Sequence, residues 1–161
     1  MRITQNELLF LAKFTAIFAA AELLINTLDF SWLENALAAY AASPIGLQAY
    51  GNTVTAGTGS FEVNASCTGL VSASVLAAII FSLRKPDLKE KAGIFLGGTA
   101  ILFALNYFRV MLVLLIGKNF GPGAAETAHI ISWFTTSAFI IALWYLFTKR
   151  MTGTKDFSGF L

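Results

Sequence analysis

Apolar residues dominate four long runs of the chain, at approximately 8–28, 66–83, 92–116 and 127–148. Each is close to or above the roughly 20 residues that a helix needs to cross a bilayer. The segment between the first two runs has a pattern of its own. In SWLENALAAYAAS, residues 31–43, Leu33, Leu37 and Tyr40 recur at helical spacing, which predicts a short helix lying on the membrane surface. Pro44 and Gly46 then break it. NTVTAGTGSFEV, residues 52–63, holds two β-favouring runs around a Gly-rich turn and predicts a small hairpin. The expected fold is an all-α membrane protein. It is one polytopic domain over 1–161, a four-helix transmembrane bundle with the amphipathic helix and the β-hairpin between spans 1 and 2. The first run is too long for a signal peptide and lacks a small-residue cleavage site, so it is read as the first span.

Composition sharpens this picture. The chain is 57% hydrophobic and only 12% charged, against about 25% charged in soluble domains, so it lacks the polar surface to dissolve as a globule. A net charge of +2 says little about partners, and no nucleic-acid partner is expected. Where the charges lie says more. Arg84, Lys85, Lys89 and Lys91 follow the second run, Lys149, Arg150 and Lys155 follow the fourth, and Arg2 precedes the first. The loop 117–126 carries Lys118 alone, and 29–65 has no Lys or Arg. With eight basic residues against one, the positive-inside rule puts both termini and the loop 84–91 in the cytoplasm, with 29–65 and 117–126 outside. Small residues recur every four positions at Ala12, Ala16 and Ala20, at Gly69, Ala73 and Ala77, and at Gly93 and Gly97. That spacing predicts helix-packing faces.

Three charged residues fall inside predicted spans, each at an insertion cost of roughly 2.5–3.5 kcal/mol. Lys13 is near the cytoplasmic end and can snorkel. Glu22, about two turns from the outer end, is placed to partner Arg109 or another buried polar group. Arg109 lies seven residues before Ile116, about 10 Å below the outer end at 1.5 Å per residue. Asn106, three residues earlier, shares its helical face and makes a polar patch with it. A structural ion pair, a ligand site and a catalytic role all stay open for Arg109.

The only Cys, Cys67, begins the second run, and the only His, His129, begins the fourth. Alternating spans bring Cys67, Arg109 and His129 to one outer face at similar depth. One Cys excludes an intramolecular disulfide. A helix N-terminus or a nearby cation favours the thiolate, the attacking form. Asn64 or Ser66 could cap span 2 and leave Cys67 in its first turn. His129 could take the thiol proton and return one to a leaving amine, and Arg109 could stabilise an oxyanion or the thiolate. Glu126, one turn before His129, can orient the imidazole or simply suit a helix N-terminus. The sequon at Asn64 stands three residues from the thiol, where a sugar would crowd it, so Asn64 is read as a cap or backbone ligand. No cluster of metal ligands and no phosphate-binding loop is found, so neither a metal nor another cofactor is expected.

SCTGL at the head of one span, NYFRV in the next and a His at the head of the last resemble the exosortase/archaeosortase family. The resemblance covers about residues 61–133 and points to a compact archaeosortase-type membrane cysteine transpeptidase. It implies that Cys67 is the nucleophile, Arg109 the essential arginine and His129 the third member, with Thr68, Gly69 and Asn106 matching the surrounding pattern. It also implies the substrate, an exported protein with a C-terminal signal of a short motif, a transmembrane helix and a basic cluster. Cleavage would fall at the outer face of the plasma membrane, with the new C-terminus passed to a lipid anchor. Two alternatives remain at this level. Hydrolysis shares the acyl-enzyme step with transfer. A non-enzymatic transporter subunit or lipid-binding module would instead use Arg109 and Asn106 to hold an anionic group.

Overall fold

The structure, a computed structural model, describes residues 4–57 and 59–152. Of the basic residues that set the orientation, Arg2 and Lys155 lie outside these. Helix α1, Gln5–Thr27, starts on a capping box: Thr4 Oγ1 accepts from the Glu7 N–H at 3.3 Å and the Glu7 carboxylate accepts from the Thr4 N–H at 2.7 Å. Helix α2, Ser31–Ala42, begins where the Ser31 N–H donates to Asp29 Oδ1 at 2.9 Å. That bond holds the Asp29 carboxyl below the usual carboxylate range. The predicted surface helix is therefore present. Its buried side is Ala38, Ala41 and Ala42, while Trp32 and Tyr40 point outward.

Three short strands follow, β1 (Gln48–Tyr50), β2 (Thr53–Ala56) and β3 (Gly59–Glu62), in an antiparallel meander with Val54 opposite both Ala49 and Phe61. The expected hairpin is β2–β3, and β1 widens it into a sheet. Val54 and Ala56 bury the inner face of this sheet. A 3-10 turn, Ala65–Cys67, leads to α3 (Leu70–Ser82), then α4 (Leu88–Phe120) and α5 (Pro122–Thr152). Only Gly121, at φ +88°, separates α4 from α5.

Cross-helix contacts show consecutive long helices running antiparallel. Glu22 of α1 meets Ser74 of α3. Gly69 approaches Phe103 and Asn106, while Gly98 approaches Leu76. Gly117 of α4 meets Ala125 of α5, and Leu102 and Ile140 share a core further down. The bundle thus has two ends. The sheet, α2 and the 3-10 turn crown one, over a core of Ala38, Val54, Val63, Cys67, Val110 and Leu114. Arg84, Lys85, Lys89, Lys149 and Arg150 lie at the other, beyond a core of Leu76, Ile80, Ile94, Leu102 and Trp144.

Two expectations need correction. The span expected at 66–83 is only the 13-residue α3, about 20 Å long against a hydrocarbon layer of about 30 Å. Among the described residues, α1, α4 and α5 are each long and apolar enough to cross a membrane, and α3 is a shorter apolar helix beside them. The reason is local. Residues 65–69 leave the α-helix for a 3-10 turn and a left-handed Gly69, which apolarity cannot reveal. The packing faces differ in part, since Gly69 and Ala73 are closely packed as expected. Ala12, Ala16 and Ala20 are exposed, and a Cβ at Gly93 or Gly97 would meet open space. Gly98 carries the close approach instead, since a Cβ there would stand 2.7 Å from Leu76 Cδ2.

Gly117 joins the sheet to the bundle, because a Cβ at this position would lie 2.6 Å from Phe61 Cζ and 3.2 Å from Ala125 Cβ. Gly117→Ala is expected to destabilise the protein by about 1–3 kcal/mol through overpacking. A lower Tm in detergent micelles, restored by adding Phe61→Leu, is the expected result.

Candidate active site

The turn carrying Cys67 is held by bonds that explain its neighbours. The Cys67 N–H donates to the Asn64 carbonyl at 2.8 Å, closing the 3-10 turn. Thr68 Oγ1 donates to the Ala65 carbonyl at 2.6 Å and accepts from the Leu70 N–H at 3.3 Å, so it ties the turn to the start of α3. Gly69 adopts φ +90°, and a Cβ there would sit 3.0 Å from Phe103 Cδ1. Only glycine suits both that conformation and that approach. The Asn106 amide Nδ2, buried on α4, donates to the Cys67 carbonyl. Cys67 therefore precedes α3 and is not in its first turn, a correction to the capping expected from Asn64 or Ser66. Neither the 3-10 turn nor α3 has a side-chain cap bond from its N-cap residue.

Cys67, Arg109 and His129 line one cavity of about 340 Å³, with Glu126 of α5 also at its wall. Its other lining includes Phe61, Glu62 and Val63 at the end of β3, Asn64, and Val110, Val113 and Leu114 of α4. The Cys67 thiol is buried, with 9% of the residue exposed. The Arg109 guanidinium is within electrostatic reach of both Cys67 and His129. Its Nε and Nη2 are shielded from solvent and have no hydrogen-bond partner among the described residues. Such donors are costly to leave unmet, which makes them ready to receive an anionic oxygen from a ligand.

The half-buried His129 packs its ring 6.1 Å from that of Trp133. Glu126 is exposed, and among the described residues no hydrogen bond joins its carboxylate to the imidazole. Glu22 is not brought to this cavity; its Oε1 accepts from Ser74 Oγ at 3.2 Å between α1 and α3. Thr68 lines a separate hollow with Leu33, Leu37, Tyr40, Phe103 and Tyr107. Glu62 was not anticipated. Its signal is topological, because the sheet turns the end of β3 over the cavity and no spacing in the sequence marks this.

Arg109 also lines a groove of about 440 Å³ between α4 and α5, with Leu105, Leu112, Ile131 and Phe139. Arg109 thus lies between the cavity it shares with Cys67 and His129 and a more apolar groove.

Replacing Asn106 by Ala removes the donor to the Cys67 carbonyl and leaves a buried acceptor unmet, at a cost of about 1–3 kcal/mol. The expected result is a lower Tm together with faster alkylation of Cys67 by iodoacetamide, as the loosened turn opens.

A model of the family described as transmembrane exosortase matches residues 3–147, nearly the whole chain. No curated protein and no solved structure matches it.

Proposed function

Because the chain belongs to the transmembrane exosortase family, a family of membrane transpeptidases, we propose that it is a cysteine transpeptidase acting on exported proteins. The observation that carries this reading is the convergence of Cys67, Arg109 and His129, from three separate elements, on one cavity. Cys67 Sγ attacks the scissile carbonyl after His129 takes its proton. The oxyanion that forms is met by the unpartnered Nε and Nη2 donors of Arg109, already desolvated and in place. His129 returns the proton to the leaving amine, and the substrate's new C-terminal carbonyl stays on Cys67 as a thioester. Asn106, Thr68 and Gly69 hold the nucleophile's turn.

The family acts on substrates with C-terminal sorting signals. Here the signal's transmembrane helix would lie beside the bundle and present its junction to the cavity. The basic residues sit at the opposite end of the bundle, so the positive-inside rule turns the cavity to the extracytoplasmic face of the plasma membrane. The released C-terminus is then passed to a lipid anchor.

Cys67→Ala is expected to abolish processing of a surface protein bearing such a signal, in cells that still accumulate the variant at normal levels. Processing at the normal rate would refute the assignment. Arg109→Lys keeps the charge but loses the planar fork, and is expected to slow processing by about 10²-fold or more. Mass spectrometry of the mature substrate separates transfer, which leaves a lipid-linked C-terminus, from hydrolysis, which leaves a free acid.

A further inference from the structure

Charge is divided across the cavity. Arg109 and His129 supply its cationic and ionisable lining from α4 and α5. The other charged lining residues are Glu62, at the end of β3, and Glu126, in the first turns of α5, both exposed. Lys118, at the C-terminal end of α4, does not line the cavity, and its Nζ donates to the Ile45 carbonyl at 2.6 Å. Asn52 Nδ2 donates to Glu62 Oε1 at 3.4 Å and steadies that carboxylate at the mouth, while Oε2 has no partner among the described residues. The Glu126 carboxylate has no hydrogen-bond partner among the described residues either. Deeper in the same cavity, the thiol of the nine-tenths-buried Cys67 has no hydrogen bond among the described residues, and neither have Nε and Nη2 of Arg109. A ligand complementary to this lining carries an oxygen acceptor on its inner side and a cation on its outer side.

We infer that Glu62 and Glu126 form a cation-selecting mouth through which the acyl acceptor enters as a protonated primary amine. The inference rests on Cys67 forming a thioester, as proposed above. In that complex the acyl carbonyl faces Arg109, so the acceptor approaches from the side of the two carboxylates. They concentrate the ammonium form at the rim, where the low-dielectric wall strengthens their field. The ammonium gives one proton to neutral His129. The freed nitrogen lone pair attacks the thioester carbon, the C–N bond forms, and the C–S bond breaks with its electron pair leaving on Sγ. The second proton lost by nitrogen goes to the thiolate and regenerates the thiol, and the proton on His129 passes to water. Acyl thioester and ammonium thus become amide, thiol and one released proton. Water carries no charge for the carboxylates to attract, so the same rim biases the enzyme toward transfer.

Because Cys67 is the only thiol in the chain, the mouth can be read directly on the intact protein in detergent micelles. The probes are 2-aminoethyl and 2-sulfonatoethyl methanethiosulfonate, with each rate divided by that of a small free thiol. The expected wild-type result is a preference for the cationic reagent that weakens as salt is raised. In the Glu62→Gln/Glu126→Gln double variant that preference falls by about tenfold, while the Glu62→Asp/Glu126→Asp variant keeps it. A second arm offers a benzyl thioester of acetylglycine as acyl donor, with ethanolamine and the uncharged nucleophile hydroxylamine as competing acceptors. The amide-to-hydroxamate ratio is expected to fall in the Gln double variant by a similar factor. An unchanged reagent preference overturns the mouth. An unchanged product ratio overturns the acceptor role. If the wild type makes no Cys67-dependent product with either acceptor, the transpeptidase reading itself fails, whatever the reagent preference.

Discussion

Irregular backbone at membrane depth must find its hydrogen bonds within the protein, because the hydrocarbon offers none. In this chain the segment 65–69 leaves the helix beside α4, a span-length apolar helix, and the Asn106 amide of α4 meets the Cys67 carbonyl that the departure frees. The rest of the crowning end follows from this bond. It binds the turn to α4, brings Gly69 against Phe103, and shortens α3 so that a hollow opens above it. A continuous helix from residue 66 would have put Cys67 into a regular ladder and closed the space that its thiol now faces.

Arg109 lies one turn beyond Asn106 on the same helix, and the two divide the work of that face. Asn106 is satisfied and holds structure; Arg109 has donors left over, shielded from water. A guanidinium in this state resists replacement by solvent and strengthens any interaction with a developing negative charge. In the proposed reaction, the desolvation that makes Arg109 costly in the resting protein is the same property that makes it effective at the oxyanion.

The helices α1, α4 and α5 were legible in the sequence because crossing a bilayer demands a long apolar run, which survives any detail of packing. The surface helix α2 was legible from its spacing and its Pro-Gly stop, and the β2–β3 hairpin from its Gly-rich turn. Strand β1 was not, since Gln48, Ala49 and Tyr50 are too few to set up an alternation and pair only because β2 is beside them. The end of α3 was missed for the opposite reason. Averaged hydropathy over 66–83 is set by the residues from Leu70 on and absorbs Ser66, Cys67, Thr68 and Gly69 into the same run, so it sees one element where the backbone makes two.

The site divides along the same line. Residue chemistry alone singled out the lone Cys, the lone His and an Arg that lipid should have excluded, because each is conspicuous against an apolar background. The sequence by itself also determined the charge asymmetry of the two ends. Only the tertiary structure decided that Glu22 turns to Ser74 and that Glu62 joins the cavity. Those outcomes depend on which helix faces meet and where the small sheet folds over, and close contacts between elements distant in sequence set both. No local pattern of polarity encodes them.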